Sequence, residues 1–254
     1  VGEAGNGMPE GAIGFTSGMT KAAVTDVSEM KNIRVWGTYT KDGSSADVFG
    51  TAGQEVHYAG GAWTYSPVRY WILGAEYAFH AVHPAEVTGV TVENGVIEIK
   101  GFDATEGHDL MAATASGISY AEVSKIQPVA LKFKHLLARV ELVGKLDGQS
   151  AEIVPGMTAT VEKASLYGMS GTGDYADGTW RGFGEATTAE VPFVSGSNKT
   201  LDTEGVSVFG EDVLLFPQQV ERDFAIYVRY SVNGGEMQEQ IIPLNGLVGE
   251  FVAG

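Results

Sequence analysis

The chain of 254 residues contains no cysteine. That single absence removes disulfides, thiolate zinc sites, iron–sulfur clusters and cysteine nucleophiles. Basic residues are scarce as well. Against 32 Asp and Glu there are only 16 Lys and Arg, a formal net charge of −16. Such a field repels phosphate backbones and argues against a nucleic-acid partner. No run approaches the roughly 18 consecutive apolar residues that a membrane-spanning helix needs. Helical periodicity is thin, and the second half has no amphipathic stretch of about 12 residues. Neither a G-x-S-x-G elbow nor an H-E-x-x-H zinc motif occurs.

Glycine, by contrast, is abundant: 35 residues, about twice the usual share. It follows no collagen period and clusters between alternating apolar runs, which predicts many short strands joined by tight turns. At 44% apolar the chain can bury a large core, enough for one large β domain or two of ordinary size. It opens at Val1-Gly2-Glu3 rather than at Met, which points to an upstream segment, a signal peptide being one candidate.

The residues through Gly11 are Gly-rich and weakly patterned. Ile13-Gly14-Phe15 predicts a short strand, and Thr16 to Thr25 a flexible polar connection. Alternation begins at Ile33, with Ile33, Val35 and Tyr39 on one face and Arg34, Trp36 and Thr38 on the other. Further strands are expected at Val56–Tyr58, Ala62–Tyr65, Val68–Ile72 and Tyr77–Val82. The sharpest local signal is Asn94-Gly95, a type I′ turn that pairs Val92 with Ile97 and Val90 with Ile99, so the apolar faces match. Residues 103–128 read as helical or irregular, and the domain boundary is placed there. Between Ala130 and Leu146 the apolar parity switches: Leu131, Phe133 and Leu137 share one parity, and Leu136, Val140 and Leu142 share the other. Either a bulge near Ala138 re-aims the strand, or its middle is buried on both faces. In the second half, strands are expected at Thr160–Leu166, Val191–Val194, Val206–Phe209, Val213–Phe216 and Phe224–Val232, the last turning at Asn233-Gly234 into Met237–Leu244. The expected fold is all-β, a sandwich architecture.

Each chemical motif has a plainer reading beside it. Gly171-Thr172-Gly173-Asp174-Tyr175-Ala176 matches a loose dinucleotide fingerprint, but Asp177-Gly178-Thr179-Trp180 follows, which is turn chemistry rather than a helix start. His80 and His83, three apart on a strand, point to opposite faces and cannot easily share a metal. Asp174 and Asp177 lack the D-x-D-x-D-G series of a calcium loop and read as Asx-turns. No catalytic residue, metal site or cofactor site is therefore assigned. Trp63, Tyr65, Tyr70, Trp71, Tyr77 and Phe79 crowd into 17 positions. Exposed, Trp63 and Trp71 would form a stacking platform for glycans; buried, the group is core.

Four segments in order resemble the fimbrillin family of Gram-negative bacteria. They are Ile13-Gly14-Phe15 followed by Thr20-Lys21-Ala22; Tyr70-Trp71 through Tyr77-Ala78-Phe79-His80-Ala81 to Pro84; Asp109-Leu110-Met111-Ala112-Ala113; and Val129-Ala130-Leu131-Lys132-Phe133-Lys134-His135-Leu136-Leu137-Ala138-Arg139-Val140. The resemblance implies two tandem transthyretin-like β-sandwich domains, at 22–126 and 127–254, behind an N-terminal leader or first-strand segment at 1–21. It also implies a non-enzymatic surface lipoprotein at the outer membrane, its lipid anchor lying upstream of this chain, that joins other pilin subunits by donor-strand exchange and supports adhesion to host or bacterial surface ligands. On this chain the exchangeable strand would centre on Ile13 and Phe15, with processing at Lys21-Ala22. The family usually cuts after Arg, where Lys21 stands here, and usually ends in a Trp- and Tyr-bearing strand, where Glu250-Phe251-Val252-Ala253-Gly254 stands here. A tip, accessory or anchor subunit is therefore expected as readily as a shaft subunit. The rivals are a surface glycan-binding module and a secreted glycoside hydrolase, which would need two acids on facing strand ends.

Overall fold

A computed structural model describes residues 8–19, 30–210 and 212–254. In chain order the first half contributes β1 (Phe15–Met19), β2 (Asn32–Lys41), β3 (Ser44–Asp47), β4 (Gln54–Ala59), β5 (Ala62–Thr64) and β6 (Glu76–His83). There follow β7 (Val90–Glu93), β8 (Val96–Asp103), β9 (Met111–Ile118), β10 (Val129–His135), β11 (Ala138–Val140) and β12 (Val143–Gly144). After a short helix α1 (Gly148–Ile153) come β13 (Ala159–Tyr167), β14 (Thr172–Ala176), β15 (Thr179–Arg181), β16 (Val194–Leu201) and β17 (Val206–Ser207). The chain closes with β18 (Val213–Leu215), β19 (Gln218–Gln219), β20 (Ala225–Val232), β21 (Gln238–Pro243) and β22 (Glu250–Phe251). The fold is all-β.

The largest sheet has eight strands in the order β1-β10-β9-β6-β2-β4-β5, with β3 also paired to β2. Twisted sheets of this size curl, and here the two edges meet. The Trp63 indole of β5 donates to Ser17 Oγ of β1 at 3.1 Å. Inside the curl lie Ile33, Val35, Val56, Tyr77, Phe79, Met111, Leu131 and Phe133, all buried in one cluster with Ile13 and Phe15.

A second sheet, β15-β14-β8-β7, joins one hairpin from each half of the chain. Asn94 and Gly95 both take positive φ, and the ladder pairs Val92 with Ile97 and Val90 with Ile99, as the turn chemistry predicts. Asp177-Gly178 makes the matching turn between β14 and β15, with φ of 49° and 78°. The stretch that resembled a dinucleotide fingerprint is thus strand, turn and strand. Ile97, Ile99, Phe102, Tyr175 and Trp180 pack with Trp36, Val82 and Ala112, residues of the outer face of the large sheet. The large sheet is therefore apolar on both faces over part of its area. A third sheet, β16-β13-β20-β21, and three short ladders complete the fold.

Strand pairing crosses the expected boundary at 126/127 three times. β1 and β9 both pair with β10, and β14 pairs with β8. Residues 103–128 depart from the helical or irregular expectation: β9 occupies their centre, and only one-turn helices at Ala104–Glu106 and Val123–Lys125 flank it. The reason is double burial. Met111 and Ala113 face one core and Ala112 the other, so the segment loses the alternation that marks a one-sided strand. Val68–Ile72 is not a ladder strand either; within it Tyr70 forms an isolated bridge to Ala12.

The parity switch after Phe133 has a related cause. β10 ends at His135 and β11 begins at Ala138, and both leucines of the break are buried. The chain passes there from the inner core to the outer one. Outside the strand ladder, the Leu136 carbonyl accepts the Trp180 indole N–H at 2.7 Å in a buried setting. Trp180→Phe should therefore lower unfolding stability by about 1–3 kcal/mol, the usual cost of orphaning a buried polar group, read from urea melts. A change under about 0.5 kcal/mol would show that this bond does not hold the crossover.

Candidate functional site: the slot that holds the first strand

The first strand enters the fold on terms unlike any other. It runs parallel to β10, with Phe15 opposite Val129 and Met19 opposite Phe133; every other ladder among the described residues is antiparallel. A parallel neighbour cannot come from a tight hairpin and pairs slightly less stably per residue. β1 is thus laid against the sheet edge without a hairpin to its neighbour.

Both sides of the segment are engaged. Toward β10, Val129 N donates to Gly14 O at 2.8 Å. Toward the opposite edge, Ile13 N donates to Arg69 O at 2.8 Å and Trp71 N to Gly11 O at 3.1 Å. The Tyr65 hydroxyl donates to Ile13 O at 2.8 Å. Burial raises the Tyr65 pKa to about 12, because phenolate beside a carbonyl and apolar rings would lose both hydration and its donor proton.

Side chains alternate across the strand. Ile13 and Phe15 are 0% and 1% exposed, while Thr16 faces solvent. The Phe15 ring lies 6.3 Å from Phe49, 6.0 Å from Tyr65 and 5.7 Å from Phe79, the last edge-on. Burial of two such side chains contributes about 1.5–3 kcal/mol each. The strand extends to Met19, so Thr16–Met19 is ladder, where the sequence had suggested a flexible connection. Met8 is buried too, within the Gly-rich, weakly patterned opening stretch. Lys21 and Ala22 lie outside the described residues.

The glycan platform expected of Trp63 and Trp71 meets a different outcome. Both indoles are in the core, 3% and 8% exposed. Trp63 spends its N–H on Ser17, and Trp71 is wedged edge-on between Tyr77 and Tyr120 at 4.6 and 4.9 Å. Neither offers a free stacking face; of that aromatic group only Tyr70 is well exposed. His80 is buried and bonded to Thr114 Oγ1 at 3.1 Å, and burial lowers its pKa. His83 Nδ1 lies 2.7 Å from Asn32 O, so the two imidazoles have separate structural partners. Among the described residues no three His, Cys, Asp or Glu side chains gather as a metal set. Asp174, weighed for calcium, instead accepts from Gly101 N at 2.8 Å and Lys100 Nζ at 3.1 Å, joining β14 to β8; the Gly101 bond lowers its pKa first, then Lys100. A cavity of about 570 Å³ opens between the two hairpin tips, beside Thr114, Lys132 and Lys134, but no side chain there is assigned a chemical role.

Ser17 and Arg69 are slot residues that sequence reasoning passed over, and Tyr65 was noted only among the crowded aromatics. Their roles in the slot arise from edges far apart in the chain, and no local pattern marks those roles. With this geometry in view, the comparison with known families decides the matter: the model of the family described as fimbrillin-like matches residues 20–250. The chain belongs to the fimbrillin-like family. Three solved structures resemble this fimbrillin-like protein. A candidate cell adhesion protein from Bacteroides uniformis shares 19% identity over 96% of this chain and 90% of its own, with a TM-score of 0.55. A second candidate cell adhesion protein, from Parabacteroides distasonis, shares 12% identity over 95% and 83%, with a TM-score of 0.49. A fimbrial assembly protein from the same species shares 12% over 94% and 88%, with a TM-score of 0.44. The first shows a common fold. No curated protein matches the chain.

The raised Tyr65 pKa sets a sign for alkaline stability. The folded value of about 12 exceeds the ordinary value of 10.0, so the stabilising contribution is complete below pH 10 and is lost as pH rises toward 12. Tyr65→Phe should remove that part of the slope, measured as the difference between wild-type and variant melts from pH 9 to 12. Identical slopes would mean that the phenol is not held neutral in the slot.

Proposed function

We propose that this fimbrillin-like protein is a structural or accessory subunit of a cell-surface pilus, at its tip, anchor or shaft, that assembles by strand exchange and supports adhesion. One observation carries the reading. β1 fills a gap between the two edges of a curled sheet and is laid in parallel, and Phe15 within it and Ile13 just ahead of it are completely buried. Withdrawing it would leave an apolar trough flanked by unpaired backbone groups on β10 and on the 69–71 segment, the setting in which an added strand binds by main-chain hydrogen bonds and alternate side chains. Family membership supports a structural rather than an enzymatic role, and the matched stretch begins at residue 20, immediately after β1.

In this reading, cleavage at Lys21-Ala22 frees residues 1–21, and a strand from another subunit takes their place. The protein acts at the cell surface, tethered to the outer membrane through a lipid carried upstream. Its partners are other pilin subunits and surface ligands on host or bacterial cells.

Limited trypsin digestion followed by sizing tests this. The expected result is a protected core beginning near Ala22 that forms strand-linked oligomers once residues 1–21 depart, and stays monomeric when a peptide of residues 8–19 is supplied in excess. A clipped core that remains monomeric and melts at the temperature of the intact chain would overturn the reading.

A further inference from the structure

We propose that Trp63 reads the chemistry of whatever strand occupies the slot, admitting one with a hydrogen-bond acceptor at the position of Ser17; this rests on the exchange reading above. The occupant it fits is an extended segment with an aliphatic residue, then an aromatic, then a small acceptor such as Ser or Thr, at alternate positions.

The slot treats the positions of β1 unequally. Thr16 is exposed, and a Cβ at Gly18 would meet no atom within 4 Å, so neither position is read. The contacts made by Arg69, Trp71 and Tyr65 go to backbone atoms and accept any residue that permits them. Selection therefore falls on the inward positions 13, 15 and 17. Position 13 is wholly buried among apolar groups. Position 15 is surrounded by Phe49, Tyr65 and Phe79. Position 17 faces the Trp63 N–H, whose acceptor among the described residues is Ser17 Oγ.

Trp63 is itself 3% exposed and lies against Tyr58 at 5.1 Å. The bond itself is part-buried, Ser17 being half-exposed, so a strand lacking an acceptor leaves a largely buried donor poorly satisfied. The same bond locks the register. A slip of two residues keeps the apolar face inward, yet one way it would bring Phe15 to the indole and carry Ser17 beyond the slot, and the other way it would bring Ser17 into the aromatic box and residue 19 to the indole. Shape alone tolerates neighbouring apolar residues at positions 13 and 15. The indole N–H supplies the discrimination that packing does not, since a site built to hydrogen-bond a group rejects analogues that lack it.

Two measurements test the proposal. In the full chain, amide hydrogen exchange across β1 is followed for Ser17→Ala and Ser17→Thr, alone and combined with Trp63→Phe. The expected result is a loss of protection of about tenfold for Ser17→Ala, little loss for Ser17→Thr, and no Ser17→Ala effect beside Trp63→Phe. In the trypsin-nicked chain, labelled peptides of residues 8–19 bearing Ser, Thr or Ala at position 17 compete for the slot. The Ser and Thr peptides should enter comparably and the Ala peptide about tenfold more weakly. This second measurement uses the wild-type slot and so does not depend on the folding of Trp63→Phe. Equal entry of all three peptides would overturn the Trp63 filter while leaving strand exchange standing. Failure of every peptide to enter would overturn the exchange reading and the filter together.

Discussion

The fold depends on a sheet that cannot close on itself. Twist brings β5 and β10 toward each other around a core rich in aromatic rings, but the two do not pair; β1 lies between them. The inner-core residues from Ile33 to Phe133 form one buried cluster with Ile13 and Phe15. Because β1 arrives parallel, without a hairpin to hold it, the closure rests on a ladder along one side, a few bonds along the other, and two inward side chains.

The large sheet also works on both faces. β2 sends Ile33 and Val35 inward, while Trp36 goes outward into the second core beneath β8 and β14. β9 and the β10–β11 break divide their side chains in the same way. Stability in this protein is thus shared between two cores that use the opposite faces of common strands, and the second core draws on hairpins from both halves of the chain. Substitutions on β2, β6 or β9 would be felt on either side according to parity.

How much the sequence revealed follows from this arrangement. Asn94-Gly95 was legible in full, register included, because its turn type demands positive φ from two adjacent residues and its flanking strands alternate cleanly. Ile13-Gly14-Phe15 was legible as a strand only in part, since β1 runs from Phe15 to Met19 and Ile13 is buried just ahead of it. β9 was not, since a strand buried on both faces carries no period of two. Trp63 and Trp71 could be read locally as platform or as core, because part of what buries them comes from segments more than 40 positions away, as the bond from Trp63 to Ser17 and the contact of Trp71 with Tyr120 show.

The sequence by itself therefore determined what is local or compositional: an all-β chain with no thiol chemistry, the tight turns at paired Asn-Gly and Asp-Gly, and four ordered segments that mark a family. The tertiary structure decided what is relational. It set which edge receives β1 and in which direction, that a hairpin of the second half completes a sheet begun by the first, and that an indole N–H meets a hydroxyl 46 residues before it. The physical reason is that turn preference and alternation act over a few residues of backbone, whereas the pairing of edges is fixed by how the whole sheet twists and which surfaces must be hidden from water.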